Sequence, residues 1–201
     1  MKAALIFDFG GVFMKTTDHS PRHRWDDRLG LAHGSIEKVV HGSESWRAAQ
    51  TGVITPDVYR ADIAAQLGLA EDDMADLFRD YFSGDQLDQS LVEYTATLHK
   101  RGYQVALLSN DSVELAPKLS ALGISHLFDP LIISAHIGVM KPDERAYRAV
   151  LDKIGRRPAE AIFIDDMPAN IAGAEAIGIK GILYTNTAAL EQDLEALLTR
   201  T

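Results

Sequence analysis

The sequence of 201 residues contains no cysteine, which excludes disulfide bonds, thiolate metal sites and cysteine nucleophiles. It also lacks an apolar run of the roughly 18 residues that a membrane-spanning helix needs. Its first apolar run covers only residues 3–7 before Asp8 interrupts it, which is too short for a signal peptide. We therefore expect a cytoplasmic protein without a membrane partner.

Positive charge is also scarce. Twenty Lys and Arg residues stand against 29 Asp and Glu residues, giving a net charge of −9. Nucleic acid is excluded as a partner, because phosphate backbones are bound by clustered cations. A small phosphate can still bind where a metal ion or local cations reverse the field. The sequence carries no signal for an oligomeric state.

Short apolar segments alternate with helical patterns along most of the chain. We expect strands at residues 3–7, 103–108, 131–133, 161–164 and 181–184, and helices at 112–122, 170–177 and 187–198. Pro142 is expected to open a further helix. This alternation predicts an α/β fold with a Rossmann-like, doubly wound parallel sheet, in which ligands bind at the carboxyl ends of the strands.

Residues 16–84 differ in character, since they are polar and have helical periodicity. We expect a core domain of residues 1–15 and 85–201 and a small helical cap domain of residues 16–84, inserted after the first strand. Pro21, between His19 and His23, argues against a regular helix there. The side chains that could close over a substrate are His19, Arg22, His23, Arg24, Trp25, Trp46 and Arg47.

Polar side chains follow the predicted strands. Asp8 follows the first strand, and Lys141 precedes the helix after the third. Each residue alone has an ordinary explanation as a turn former, a helix cap or a solvated charge. The parallel sheet brings them all to one edge, together with Ser109, Asn110 and Asp111 after the second strand, and Asp165, Asp166 and Asn170 after the fourth.

This set of residues fits phosphoryl transfer to a carboxylate. Asp8 can attack phosphorus and form an aspartyl-phosphate that water then cleaves. The anionic nucleophile and phosphate repel each other by ~4 kcal/mol at about 4 Å in a partly screened site, so cations are required. Oxygen ligands favour Mg²⁺. Lys141 adds positive charge, while Ser109 and Asn110 can donate hydrogen bonds to the phosphoryl group of a small phosphorylated metabolite.

The order of these residues resembles the four motifs of the haloacid dehalogenase superfamily, and the insert resembles the cap of its subclass I enzymes. Residues 137–147 and 163–178 look most like the branch that contains sugar-1-phosphate phosphatases and the N-terminal domain of soluble epoxide hydrolases. This resemblance implies a Mg²⁺-dependent phosphatase with Asp8 as nucleophile and metal ligand.

The resemblance also implies the remaining roles. The Gly10 carbonyl and Asp166 would bind Mg²⁺ directly, and Asp165 would act through water. Ser109 and Lys141 would hold the phosphate, and Asn110 and Asn170 would support them.

One position departs from the family pattern. Most phosphatases of the superfamily have an acid two residues after the nucleophile, and here that residue is Gly10. We therefore expect the leaving oxygen to depart with little protonation by the enzyme unless a cap residue or water substitutes, and His19 is the first cap residue to mutate. Two alternatives stay open: a hydrolytic dehalogenase, against which Asp165 and Asp166 argue, and a non-catalytic phosphate-binding module, which only Gly10 favours.

Overall fold

The computed structural model describes residues 2–198. In these residues, five strands form a parallel sheet of order β5-β4-β1-β6-β7. The expected Rossmann-like parallel sheet is confirmed. The other two strands pair with each other as a small antiparallel ribbon. The strands are β1 (Ala4–Phe7), β2 (Met14–Thr16), β3 (Asp85–Leu87), β4 (Val105–Ser109), β5 (Leu131–Ile133), β6 (Ala161–Asp165) and β7 (Lys180–Leu183).

The same residues contain eleven α-helices, and no helix among them has the length and apolar character needed to cross a bilayer. They are α1 (Ser20–Arg28), α2 (Ser35–Gly42), α3 (Glu44–Gln50), α4 (Pro56–Leu67), α5 (Glu71–Tyr81), α6 (Gln89–Lys100), α7 (Leu115–Ala121), α8 (Ser134–Ile137), α9 (Glu144–Ile154), α10 (Pro168–Ala176) and α11 (Thr187–Leu198).

The central strand β1 is buried on both faces, which explains why its sequence is a continuous apolar run. Leu5 and Phe7 pack in a cluster with residues of α6, α7 and α11. Ala4 and Ile6 pack on the opposite face with residues of α9 and α10. The next residue, Asp8, is therefore held at the middle of the sheet's carboxyl edge.

The insert has a hydrophobic cluster of its own, built from residues of α1 to α5. It joins the sheet through the β2–β3 ribbon, which spans both expected domain boundaries and was not predicted. Arg22 ties the ribbon to the insert, because its guanidinium donates to Thr16 at 2.7 Å, to Asp85 at 2.9 Å and to the Tyr81 carbonyl at 3.1 Å.

Two predictions from proline were wrong. Helix α9 begins at Glu144, and the Asp143 carboxylate caps it by accepting from the Arg145 amide at 2.9 Å. Pro142 therefore lies before the helix. Pro21 does not prevent a helix between His19 and His23, because it lies in the first turn of α1, where a missing N–H has no helical partner to lose.

Candidate active site

Asp8 and Lys141 form a buried ion pair at the carboxyl edge of the sheet. Lys141 Nζ lies 2.8 Å from Asp8 Oδ1 and 2.6 Å from Asp165 Oδ2. Burial raises the pKa of Asp8 to about 6; the Lys141 charge opposes this rise and the Asp165 charge adds to it. Asp8, the nucleophile predicted from the sequence, therefore lies beside a cation, but the Lys141 charge does not fully offset the cost of burying the ionised Asp8 carboxylate.

Asp165 is completely buried and bound by several donors. Besides Lys141, it accepts from the Met167 amide at 2.8 Å and from Asn170 Nδ2, which lies 3.0 Å from both of its oxygens. Asn170 therefore supports the site through Asp165. With these partners, Asp165 fixes the position of Lys141.

Asp166 is half-buried and faces the cavity described below. Its pKa is raised by burial and by the neighbouring Asp165 charge. Gly11, in the left-handed region at φ 75°, leaves room for this carboxylate, because a Cβ there would lie 2.1 Å from Asp166 Oδ2. The loop after β1 therefore requires glycine at this position.

The three carboxylates suit a hard cation. Asp8, Asp165 and Asp166 each offer an oxygen, and these oxygens lie within 4.8 Å of one another. Lys141 is the cation that contacts Asp8 and Asp165, so the cluster holds more negative than positive charge. An all-oxygen donor set of this kind fits Mg²⁺.

Ser109 is buried at the end of β4, beside β1. The next residue, Asn110, donates from Nδ2 to the Lys141 carbonyl at 2.9 Å and accepts from the Lys141 amide at 2.8 Å. Both ends of its side chain are thus committed to the Lys141 backbone. Asn110 therefore positions Lys141, and binding of the phosphoryl group by Asn110 stays a prediction.

A cavity of about 790 Å³ lies between the sheet edge and the insert. Gly10 and Asp166 line it, whereas Asp8, Ser109 and Lys141 do not. The Asp8 and Asp166 oxygens are nevertheless within 4.8 Å of each other, so the Asp8 carboxylate lies just behind the cavity wall. Aromatic side chains supply much of the opposite wall, namely Trp46, Tyr59, Phe78 and Phe82.

His19, the first cap residue considered as a substitute proton donor, does not line this cavity in the described residues. It precedes α1, and its Nδ1 lies 3.8 Å from Glu37 Oε2. This geometry therefore gives no support to His19 as a proton donor. Of the other insert residues proposed from the sequence, Arg22 and Trp46 do line the cavity.

Several titratable residues of the cavity wall were not given a role by sequence reasoning, among them His41, Lys118 and Asp111. His41 pairs through Nδ1 with the Tyr81 hydroxyl at 3.1 Å. Lys118 lies over the rings of Phe82 and Phe9, 5.2 and 5.8 Å from their centroids. Asp111, taken alone in the sequence, is equally consistent with a helix cap. His41 and Lys118 carried no recognisable signal, whereas Asp111 stood beside two predicted site residues.

The insert is tightly seated on the core near Ser109. Gln50 Nε2 donates to the Asn110 carbonyl at 2.8 Å, and Ser134 Oγ donates to the Gln50 carbonyl at 2.6 Å. A Cβ on Gly52 would lie 2.3 Å from the Ala135 carbonyl oxygen. These contacts join the insert to the core at the strand end that carries Ser109, the predicted phosphate ligand.

Comparison with known proteins agrees with this geometry. Sesquiterpene phosphatase astK of Aspergillus oryzae is 30% identical over 97% of this chain and 96% of its own length. Bifunctional epoxide hydrolase 2 of Rattus norvegicus is 28% identical over 61% of this chain, a match that spans only 23% of that longer protein.

A solved structure of a haloacid dehalogenase family enzyme, bt-2542 from Bacteroides thetaiotaomicron in complex with magnesium and inorganic phosphate, has the same fold. Its TM-score is 0.75 at 23% identity, covering 94% of this chain and 96% of that one. The family model for haloacid dehalogenase-like hydrolases matches residues 2–178. The chain therefore belongs to the haloacid dehalogenase-like hydrolase family.

Proposed function

We propose that this hydrolase is a magnesium-dependent phosphatase that acts on a small phosphorylated metabolite through an aspartyl-phosphate on Asp8. The observation that carries the proposal is the cluster of Asp8, Asp165 and Asp166 around Lys141. Its excess negative charge beside the cavity is suited to a divalent cation, and that cation would in turn attract a phosphate.

The proposed reaction has two displacements at phosphorus, and different residues act in each. The Asp8 carboxylate attacks phosphorus as the ester oxygen leaves, and water then displaces Asp8 and releases inorganic phosphate. Lys141 and Ser109 hold the phosphoryl oxygens. Mg²⁺, held by Asp8, the Gly10 carbonyl and Asp166, with Asp165 acting through water, would offset the repulsion between nucleophile and phosphate.

The relatives support this choice within the family. A phosphatase is the relative that matches nearly the whole chain at 30% identity. The solved enzyme of the same fold was obtained with magnesium and inorganic phosphate bound. A dehalogenase is less consistent with the site, because without a metal the three carboxylates would repel a substrate that carries a carboxylate.

We assign residues 16–84 as a cap that selects the substrate. The insert supplies Trp46, Tyr59, Phe78 and Phe82 to the cavity wall. Such a wall favours an alcohol with ring or apolar surface, since stacking and burial of apolar area both stabilise it. The cavity volume of about 790 Å³ accommodates a phosphate ester whose alcohol part is much larger than a simple alkyl group.

The test is phosphate release from p-nitrophenyl phosphate and a metabolite panel, with Mg²⁺ and with EDTA. We expect turnover only with Mg²⁺. Asp8→Asn should lower it by at least ~10⁴-fold, because an amide cannot form the covalent intermediate. Asp143→Asn, which alters a surface helix cap, is the control and should retain turnover. Halide release from 2-haloacids without metal, or full activity of Asp8→Asn, would contradict the proposal.

A further inference from the structure

If the chain is the phosphatase proposed above, one proton lacks an evident donor. The oxygen of an alkyl ester leaves phosphorus poorly as an alkoxide, and a positioned acid typically accelerates such a step by about 10²–10⁴-fold. Gly10 cannot supply the proton. A Cβ built on Gly10 meets no atom within 4 Å, so open space remains beside it.

Most carboxylates of the cavity wall are already paired with arginine. Glu37 and Asp85 each accept from Arg22 at 2.9 Å. Glu114 accepts two hydrogen bonds from Arg60, at 2.9 and 3.0 Å. The oxygens of these three carboxylates are thus engaged by guanidinium groups and are poorly placed to contact a leaving oxygen.

His41 is unsuited for a different reason. Burial and the nearby Arg22 charge lower the pKa of His41 to about 4. Its ring is therefore neutral at neutral pH, and its Nδ1 is engaged with the Tyr81 hydroxyl. A neutral imidazole can donate a hydrogen bond, but it does not give up a proton as readily as an acid does.

Asp111 differs from all of these side chains. It lines the cavity, and it lies two residues beyond the end of β4, the strand that pairs with β1. Its Oδ1 accepts from the Ser112 amide at 2.7 Å. Within residues 2–198, no ion pair involves Asp111, and no hydrogen bond is made by its Oδ2.

The backbone of Asp111 is held firmly. Ser134 Oγ accepts from the Asp111 amide at 3.0 Å and lies 3.2 Å from the Asp111 carbonyl oxygen. The Ala135 amide donates to the same carbonyl at 3.3 Å. A carboxyl group on a fixed backbone, with one oxygen oriented and the other free, is arranged as a proton donor should be.

The charges around Asp111 keep a proton available. Burial raises the pKa of Asp111 to about 6, against lowering by the Ser112 amide and Lys118 and further raising by Asp8 and Glu114. Tyr59 is the titratable group that faces it from the insert. Roughly a tenth of such groups are protonated at pH 7, far more than for an ordinary aspartate.

We propose that Asp111 is the general acid and base of the reaction. In the first step the bond between Asp8 and phosphorus forms, the ester P–O bond breaks, and the Asp111 carboxyl proton passes to the leaving oxygen to give an alcohol. In the second step water attacks the aspartyl-phosphate and gives a proton to the Asp111 carboxylate. Inorganic phosphate leaves, the Asp8 carboxylate is regenerated, and Asp111 is again protonated.

The test compares phosphate esters whose leaving groups range from p-nitrophenol to a simple alkanol, all with Mg²⁺. Asp111→Asn retains the acceptor for the Ser112 amide but cannot donate an acidic proton. We expect it to lower kcat/KM for alkyl phosphates by about 10²–10⁴-fold, and for p-nitrophenyl phosphate by less than about tenfold. Asp143→Asn, the same kind of change at a surface helix cap outside the cavity, is the control and should keep the wild-type dependence on leaving-group pKa.

Equal losses for all esters, or no loss, would overturn the role of Asp111. If the wild type released no phosphate from any ester, the phosphatase function itself would fail, and this role with it. Circular dichroism establishes that each variant is folded.

Gly10→Asp gives a second test that does not depend on the folding of Asp111→Asn. Gly10 has no positive φ and open space at Cβ, so the substitution is sterically allowed. In the wild-type background it should change the leaving-group dependence little, because Asp111 already supplies the proton. In Asp111→Asn it should restore alkyl phosphate turnover at least tenfold. If the single variant Gly10→Asp showed a much weaker dependence of rate on leaving-group pKa than the wild type, the wild type would lack an effective general acid, and the role of Asp111 would be overturned.

Discussion

The strand-end site of the core and the cavity wall of the insert are built on opposite principles. In the core, buried polar groups bind one another at fixed distances, as Asp165 does with Lys141 and Asn170. In the insert, aromatic rings such as Trp46 and Tyr59 pack with centroids 5.3 Å apart. The core therefore holds its polar groups at fixed distances, and on the proposed function the insert would contact the rest of the substrate through apolar surface.

The two regions also differ in how they affect stability. In the core site, burial raises the pKa values of Asp8, Asp111 and Asp166, and neighbouring carboxylates add to the rise. Groups tuned in this way disfavour the folded state when they ionise. The insert instead gains stability from apolar packing and from the Arg22 hydrogen bonds to Thr16 and Asp85.

The largest expected effect on stability is a dependence of the free energy of unfolding on pH, caused by the buried carboxylates of the core site when no metal is bound. Because the pKa of Asp8 rises from 3.8 to about 6 on folding, the native state binds more protons between these values. The free energy of unfolding should therefore fall as pH rises from about 4 to about 6, by a few kcal/mol in total with Asp111 contributing. Asp8→Asn should make this fall smaller, measured by denaturant unfolding in EDTA.

Mg²⁺ should restore stability most at the upper end of that pH range, because it binds the ionised carboxylates. Asp57→Asn, an exposed change in the insert, should leave the fall with pH unaltered. Parallel curves for the wild type and Asp8→Asn would remove Asp8 as its source.

A smaller effect on stability should distinguish substitutions at the adjacent residues Gly10 and Gly11. Gly11→Ala forces a left-handed residue and a contact with Asp166, so we expect a loss of about 1–3 kcal/mol of stability and a higher Mg²⁺ requirement. Gly10→Ala meets no such contact and should behave like the wild type. Thermal unfolding and Mg²⁺ titration of activity measure both. Equal behaviour of the two variants would contradict this account of the loop.

The core could be predicted from the sequence because its signals are local. A short apolar run ended by Asp8 and another ended by Asp165 and Asp166 identify buried parallel strands and the residues at their ends. The parallel sheet then brings those ends together. The sequence did not single out a role for Asp111, because a carboxylate after a strand is also typical of a helix cap. Its position in the cavity wall distinguishes the two explanations.

The insert was harder because its elements depend on contacts distant in sequence. In α4 the apolar Val58 is 52% exposed, whereas its neighbour Tyr59 is buried. Tyr59 is held by donating its hydroxyl proton to the Val40 carbonyl at 2.8 Å. The β2–β3 ribbon joins three-residue segments about 70 positions apart, which are too short for a recognisable pattern.

The smallest expected effect tests the selective role of the insert. Trp46 lines the cavity and packs against Tyr59 and His41, with centroids 5.3 and 5.5 Å apart. Trp46→Ala should raise KM about tenfold for phosphates of ring-containing or apolar alcohols, since about 1–2 kcal/mol of contact is lost. For acetyl phosphate, which is too small to reach this wall, both kcat and KM should change little. Val58→Ala, on the exposed face of the same insert, should affect neither substrate. If Trp46→Ala impaired both substrates equally, the ring would serve to support the fold of the insert, and selection would have to reside in the core.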